Sequence, residues 1–174
     1  MDRMWSPWRS EYVSEAAQRE PEDGTSLFTQ LLNEDADTEN LILWRGDHVF
    51  VIMNRYPYNN GHLLIVPYRE VEDYTALDTA EQRAIALTVD RCIQWITAAL
   101  SPEGVNVGMN LGAAAGAGIP EHLHVHVVPR WAGDTNFMTS TGETRVLPED
   151  LSTTYKKLRT VIDKSTSNPD SERS

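Results

Sequence analysis

Residues 121–130 read EHLHVHVVPR and alternate histidine with apolar residues, using three of the five histidines in the chain. Aliphatic and β-branched residues at alternating positions predict a β-strand. Because successive side chains of a strand point to opposite faces, the apolar residues form one face and the histidines, His122, His124 and His126, form the other. This segment therefore predicts a sheet that packs on a helix with one face and carries a polar site on the other.

Further segments predict an α+β domain built on an antiparallel sheet. Residues 48–54, 62–68 and 104–110 are β-branched and aliphatic runs that predict core strands, and the turn-rich RYPYNNG joins the first two as a hairpin. Residues 79–100 predict the clearest helix, with a capping box at its start and apolar residues, Cys92 among them, along one face. The order strand, strand, helix, strand, strand predicts a meander-like antiparallel sheet with a packed helix.

We divide the chain into an N-terminal extension at 1–40, the main domain at 41–131, a C-terminal extension with an amphipathic helix at 132–166 and a disordered tail at 167–174. The N-terminal extension ends in an acidic linker around a short helix. It begins with a segment that contains Trp5 and Trp8, which is too apolar for a solvated tail. This segment is either strapped across the core of its own chain or an arm that reaches a partner subunit.

The formal net charge of −11 argues against a nucleic-acid polymer as a partner, because such a partner requires a basic surface. A mononucleotide or dinucleotide stays compatible, since backbone N–H groups and a few side chains can hold its phosphates. The single cysteine excludes an internal disulfide framework and a CxxC zinc ribbon. No apolar segment is long enough for a signal peptide or a membrane span, so we expect a cytoplasmic protein with no membrane partner.

The histidine pattern is compatible with two kinds of chemistry. Histidines two residues apart on a strand lie about 6.6 Å from each other, so two of them could share a zinc ion with a third ligand such as His62 or Glu121. Alternatively, a neutral imidazole is both a nucleophile and a leaving group, and flanking imidazoles can donate hydrogen bonds to a phosphoryl centre. The loop before the strand favours phosphate chemistry, because its backbone N–H groups can approach an anion closely at Gly112, Gly116 and Gly118.

Several motifs resemble the histidine triad (HIT) nucleotide-binding family. HLHVHVV matches the family's signature, histidines alternating with apolar residues and a final apolar pair, at every position. NRYPYNNGHLLIVP is similar to the family's first hairpin, where a ribose-binding polar residue precedes a further histidine by eight, as Asn54 precedes His62. GMNLG resembles the strand end whose amide side chain, Asn110 here, touches the scissile phosphate. The resemblance covers about residues 40–130 and implies the HIT-like α+β fold, an antiparallel sheet of about five strands with a packed helix and a C-terminal helix.

The leader MWSPWR and the extension HVVPRWAGDTNFM resemble the branch of the family that contains bacterial diadenosine tetraphosphate phosphorylases and hydrolases. This resemblance implies a nucleotidyltransferase or hydrolase that cleaves dinucleoside polyphosphates at the α-phosphorus. His124 would attack the phosphorus and form a nucleotidyl-histidine. His122 and His126 would contact phosphate oxygens and orient the nucleophile, and one of these or His62 would assist the leaving group. Inorganic phosphate would then yield ATP plus ADP, or water would yield ATP plus AMP.

The resemblance also implies a set of nucleotide-binding residues, which are Asn54, Asn110, Gly116, Gly118, Ile52, Leu64 and Trp131. Asn54 would hold a ribose hydroxyl, whereas Ile52 and Leu64 would flank the adenine. Trp131 would stack on a base or line the path of the second nucleotide. From the residue types alone, Ile52 and Leu64 could equally be core residues, and Trp131 a packed loop anchor.

The implied partners are an adenine nucleotide substrate and inorganic phosphate, and the implied assembly is a homodimer in which two sheets pair across a two-fold axis. We expect no metal site and no tightly bound cofactor, apart from a divalent cation carried with the polyphosphate. Two alternatives stay open, which are hydrolysis of nucleoside phosphoramidates or adenylates and a nucleotide-binding sensor without turnover; a metalloenzyme is a more distant third. The sequence leaves undecided the second-step acceptor, the preferred polyphosphate length and any pairing of dimers.

Overall fold

The computed structural model describes residues 24–134 and 149–167. The predictions for Trp5 and Trp8 and for the tail beyond residue 167 lie outside the described residues. Within them the chain forms α1 (Leu27–Asn33), β1 (Ile42–Arg45), β2 (Val49–Met53), β3 (Leu63–Pro67), α2 (Thr79–Leu100), β4 (Gly104–Met109), β5 (Val125–Arg130) and α3 (Leu151–Thr166). None of these helices combines the length and the apolar character that spanning a bilayer requires.

All five strands join in one antiparallel sheet in the order β1–β2–β3–β5–β4. Helices α2 and α3 pack on one face of the sheet, over a core that includes Leu123, Val125 and Val127. Helix α1 belongs to the opposite face, where its Phe28 packs in a smaller apolar cluster with Ile52. The predicted α+β fold is confirmed, and so is the predicted C-terminal helix.

Two features of the sheet differ from the prediction. Strand β1 lies in a segment for which the sequence predicted no element, because it has only four residues and its pairing shifts register between Ile42 and Trp44. Strand β4, predicted as a core strand, is a largely exposed edge strand. Its two glycines and Asn106 offer little apolar surface, so the mostly buried β5 takes the interior position between β3 and β4. The sheet is therefore not a meander.

Helix α2 has the bounds that the sequence predicts. The side chain of Asp78 accepts the N–H of Glu81 at 2.8 Å, and the Glu81 side chain accepts the N–H of Asp78 at 2.8 Å, which completes the predicted capping box. Cys92 is fully buried in the core, and burial raises the pKa of its thiol far above the usual range. Its predicted place as a small core hydrophobe is confirmed.

We expect Gly61→Ala to lower the free energy of unfolding by about 1–2 kcal/mol, because Gly61 has a φ of +73°. An added Cβ would also overlap Cδ1 of Leu100, so the leucine side chain would have to move. Thermal denaturation should show a Tm lower by about 2–8 °C. The matched control is Gly104→Ala, where an added Cβ meets nothing within 4 Å. Equal Tm values for the two variants would contradict this account of the turn that precedes His62.

Candidate active site

The sheet brings four histidines together on the face that carries α1. Strand β3 pairs with β5 so that Leu64 lies opposite His126, which places His62, just before β3, beside that histidine. His122 and His124 lie in the irregular segment before β5, which begins only at Val125. The prediction that all three triad histidines lie within the strand is therefore wrong, because the chain leaves the sheet before Val125. The predicted alternation of faces is confirmed, since the apolar residues between the histidines pack in the α2 core.

The N–H that enforces this departure belongs to Leu123, which donates to the carbonyl of Val71 at 2.7 Å instead of continuing the ladder with β3. The segment after β3 thus supplies the bond that turns His122 and His124 away from regular pairing. Their rings still point to the histidine face, where that of His124 lies 4.9 Å from that of His126 between centroids.

The ring of His124 is held in a single tautomer. Its Nδ1 lies 2.9 Å from the carbonyl oxygen of His122, and because a carbonyl only accepts, Nδ1 carries the hydrogen. In the neutral ring the lone pair then belongs to Nε2. Burial, which outweighs the bond to His122, lowers the pKa of His124, so the ring is neutral at pH 7. His124 therefore meets the requirement for a nitrogen nucleophile.

His62 and His126 form a directional pair. The backbone N–H of Tyr58 donates to Nδ1 of His62 at 3.1 Å, so the neutral His62 ring carries its hydrogen on Nε2. That Nε2 donates to Nδ1 of His126 at 2.9 Å, which leaves the hydrogen of a neutral His126 on its own Nε2. The pair thus makes His126 an N–H donor beside the His124 ring, a suitable group for an anionic phosphoryl or leaving-group oxygen.

His122 has a different position from the other triad members. It is 1% exposed, and both of its ring nitrogens bond within the protein, Nε2 to the carbonyl of Pro67 at 2.8 Å and Nδ1 to the hydroxyl of Ser26 at 2.5 Å. Burial lowers the pKa of His122 and favours its neutral form. This geometry supports the predicted orienting role of His122. Contact with a phosphate oxygen stays a prediction, and neither ring nitrogen is placed for it.

Both predicted amides lie at the site. The Asn54 amide is fixed at both ends, since its Nδ2 lies 3.3 Å from Nδ1 of His62 and its Oδ1 accepts the N–H of Tyr56 at 3.0 Å. Asn110 follows β4, whose last residue, Met109, pairs with Val125, so Asn110 lies just beyond the same end of this strand pair as His124. The ribose and phosphate contacts of these amides stay predictions.

The predicted phosphate loop is anchored to Asn110. Its side chain donates to the carbonyl of Gly116 at 3.4 Å, and Gly116 adopts a φ of +87° where it ends a short 3₁₀ turn. Gly118 comes just before Ile119, which is buried in the α1-side cluster. The loop is thereby held at both ends next to the histidine face, and anion binding by Gly116 and Gly118 stays a prediction.

Of the predicted base-binding residues, the structure brings only two to the histidine face. Ile52 and Leu64 pair directly across β2 and β3 and are 4% and 6% exposed in the α1-side cluster, which agrees with the core-packing alternative. Trp131 instead lines a cavity of about 600 Å³ whose other walls include Leu100 and Asp134. The sheet does not bring Trp131 to the histidines in a single chain.

Three residues of the site were not predicted. The ring of Phe28 meets those of His122 and His124 edge-on, with centroids 5.5 and 5.2 Å apart, and Ser26 bonds to His122. Tyr58 stacks on His126 with centroids 5.8 Å apart and an interplanar angle of 23°. Ser26 and Phe28 belong to a segment interpreted as an acidic linker around a short helix, so only the tertiary fold assigns them. For Tyr58 a signal was available, because an aromatic side chain is unusual in a turn-rich connector such as RYPYNNG.

The geometry of the site bears on the alternative of a metal centre. Within residues 24–134 and 149–167, no group of three or more His, Cys, Asp or Glu side chains is arranged to hold a metal ion. The bonds of His62 and His122 show why, because ring nitrogens that bond within the protein do not point to a common centre.

Comparison with known proteins places this geometry in a family. The family model of the HIT domain matches residues 36–133. An AP-4-A phosphorylase of Mycobacterium tuberculosis (strain ATCC 25618 / H37Rv) is 44% identical over 167 residues, which cover 92% of this chain and 84% of that protein.

Solved structures agree on the fold. A hypothetical histidine triad nucleotide-binding protein from Sulfolobus tokodaii superposes with a TM-score of 0.65 at 25% identity, covering 81% of this chain and 94% of the other. A Zn-bound histidine triad family protein from Mycobacterium smegmatis gives a TM-score of 0.62 at 24% identity, covering 81% and 95%. The predictions of the HIT fold and of an enzyme of this family are confirmed. Because the HIT domain model matches most of the chain and the fold brings four histidines together at one site, the chain belongs to the HIT family.

Proposed function

We propose that this protein cleaves diadenosine tetraphosphate at an α-phosphorus and transfers the nucleotidyl group to inorganic phosphate, yielding ATP plus ADP. The 44% identity to an AP-4-A phosphorylase supports the substrate and the acceptor. The observation that carries the chemistry is the bond of His124 Nδ1 to the His122 carbonyl, which leaves the lone pair of the neutral ring on Nε2. His62 and His126 supply an N–H donor next to it.

In the first step His124 Nε2 attacks the α-phosphorus, a phosphorus–nitrogen bond forms, and the phosphorus–oxygen bond to the departing ATP breaks. The His124 ring gains a positive charge, which its Nδ1–H bond to the His122 carbonyl stabilises. The His126 Nε2–H donates a hydrogen bond to a phosphoryl or departing oxygen, where negative charge develops. ATP is already a weakly basic leaving group, so it departs without taking a full proton.

In the second step an oxygen of inorganic phosphate attacks the nucleotidyl-histidine. The phosphorus–nitrogen bond breaks, ADP forms, and His124 regains its neutral ring and its Nε2 lone pair. Water attacking the same intermediate would give AMP, which is the hydrolase alternative. Asn54, Asn110 and the backbone at Gly116 and Gly118 complete the proposed nucleotide site.

We expect ADP to form from diadenosine tetraphosphate only when inorganic phosphate is present, because phosphate is the second-step acceptor. Chromatography of the products, with ³²P-labelled phosphate as the acceptor, should show the label in ADP and none in ATP. ATP plus AMP in the presence and in the absence of phosphate would contradict phosphorolysis and establish the hydrolase. Absence of turnover, with adenine nucleotide still bound, would favour the non-catalytic sensor. A parallel reaction with a chelator tests the proposed divalent cation, which arrives with the polyphosphate and is not held by the protein.

We further propose a homodimer in which two β4 strands pair antiparallel across a two-fold axis. Within the described residues, β4 pairs with β5 along one side and with no strand along the other. Val107 and Leu111 at this edge are 46% and 42% exposed, which supports burial against a second copy. A cytoplasmic location belongs to the same proposal, since adenine nucleotides and inorganic phosphate are supplied there.

A further inference from the structure

We propose that Ser26, the N-cap residue of α1, is a positioning residue for the nucleophile His124 and acts through His122. Ser26 lies 96 positions before His122 in sequence, and its hydroxyl lies 2.5 Å from the Nδ1 of that ring. Both residues are 1% exposed, so water does not compete for the bond. The kinetic part of this inference rests on the proposed function, whereas its structural part does not.

The direction of the Ser26–His122 bond follows from the other end of the ring. His122 Nε2 lies 2.8 Å from the carbonyl of Pro67, which can only accept, so Nε2 carries the hydrogen. Nδ1 of the neutral ring is then an acceptor, and the Ser26 hydroxyl must donate to it. His122 is thus held at both nitrogens, by α1 on one side and by the end of β3 on the other.

Ser26 is itself held in place by the segment that follows β3. Its backbone N–H donates to Oε1 of Glu70 at 3.0 Å, and the hydroxyl of Thr29 donates to the same oxygen. The Ser26 hydroxyl oxygen also accepts the N–H of Thr29 at 3.2 Å, which is the N-cap bond of α1. Pro67 and Glu70 are three residues apart, so one short segment fixes both supports of the His122 ring.

The position of His122 affects the nucleophile His124 through one hydrogen bond. The His122 carbonyl is the acceptor that keeps the hydrogen of His124 on Nδ1, at 2.9 Å. Phe28, two residues after Ser26 on the same helix, packs edge-on against both rings. If His122 shifts, the acceptor shifts with it, and the hydrogen of His124 can move to Nε2 and occupy the nucleophilic lone pair.

Variants at Ser26 separate this role from simple helix capping. Ser26→Gly removes the hydroxyl but keeps most of the capping preference, Ser26→Ala removes both, and Ser26→Thr keeps both. The matched control is Asp150→Ala, which removes the N-cap bond to Thr153 from α3, a helix on the opposite face of the sheet. Thermal denaturation reports the loss of a cap in each variant.

The first readout is ¹⁵N NMR of the histidine side chains in the unliganded protein, which requires no turnover. We expect Ser26→Gly and Ser26→Ala to move the His122 Nδ1 resonance and to give His124 a mixture of tautomers. Ser26→Thr and Asp150→Ala should keep the wild-type pattern. Unchanged His122 and His124 resonances in both Ser26→Gly and Ser26→Ala would overturn the proposal.

The second readout is turnover of diadenosine tetraphosphate with inorganic phosphate. We expect Ser26→Gly and Ser26→Ala to lower kcat about tenfold with KM nearly unchanged, and Ser26→Thr to restore it. A Ser26→Gly variant with wild-type kcat, beside an impaired Ser26→Ala, would show that only the cap matters and would overturn the positioning role. If the wild-type protein does not turn over this substrate, the proposed function fails, and the NMR result still decides whether Ser26 orients the two rings.

Discussion

His124→Ala is expected to lower kcat for diadenosine tetraphosphate by at least about 10⁴-fold, because it removes the atom that forms the covalent intermediate. His124 is the residue whose Nε2 lone pair is fixed by a bond at its other nitrogen, to the His122 carbonyl at 2.9 Å. Binding of AMP, measured by calorimetry, should stay within about tenfold of the wild type, since the ribose and phosphate contacts belong to other residues. The intermediate should appear as a nucleotidyl adduct on the His124 peptide after an alkaline quench, because the phosphorus–nitrogen bond is labile in acid.

His48→Ala is the matched control for His124→Ala, because His48 is the one histidine of the five that lies outside the site, exposed in the turn just before β2. It should turn over at the wild-type rate. A His124→Ala variant that is folded by its Tm and retains more than a tenth of wild-type kcat would refute the nucleophile. An adduct on a histidine peptide other than that of His124 would reassign it.

His62→Asn is expected to lower kcat about 100-fold while the protein stays folded. Asparagine can keep an acceptor near the position of His62 Nδ1 for the N–H of Tyr58, which lies 3.1 Å away, but it cannot reach His126. Nδ1 of His126 then loses the donor that now lies at 2.9 Å, and the N–H of its Nε2 is no longer fixed. Because this N–H stabilises charge on a phosphoryl or departing oxygen, the loss should be larger for an adenylate ester of a basic alcohol than for its p-nitrophenyl ester.

The control for His62→Asn is His62→Gln, which offers a donor near the original Nε2 and should recover part of the lost rate. Rates for both esters and for diadenosine tetraphosphate, with Tm values for each variant, make the comparison. An equal loss for the two esters would contradict a role at the departing oxygen, and a His62→Gln variant no better than His62→Asn would contradict the hydrogen bond to His126.

Local patterns in the sequence were sufficient for much of the fold. The capping box at Asp78 and Glu81 and the apolar spacing of the following residues predicted α2 with its observed bounds, because these signals act within one or two turns. The alternation in HLHVHVV predicted which residues face the α2 core, since the side-chain period of an extended chain does not depend on its neighbours. Those motifs also sufficed to identify the family.

Only the tertiary structure decided the order of the sheet and the state of each histidine. Whether β4 is central or at an edge depends on which strand competes better for the place beside β3, and Gly104–Met109 shows by itself only that it is a strand. The tautomers of His122 and His124 depend on acceptors such as the Pro67 carbonyl, 55 positions from His122 in sequence.

Ser26 marks the limit of sequence reasoning most clearly. It caps α1 through a bond to Thr29, a contact between residues three positions apart. Its second bond, to His122, joins residues 96 positions apart and arises because α1 packs on the histidine face of the sheet. Secondary structure and the alternation of faces depend on residues near in sequence, so they can be predicted from the sequence. A hydrogen bond between residues far apart in sequence forms only when the packing of helices and strands brings the two side chains together.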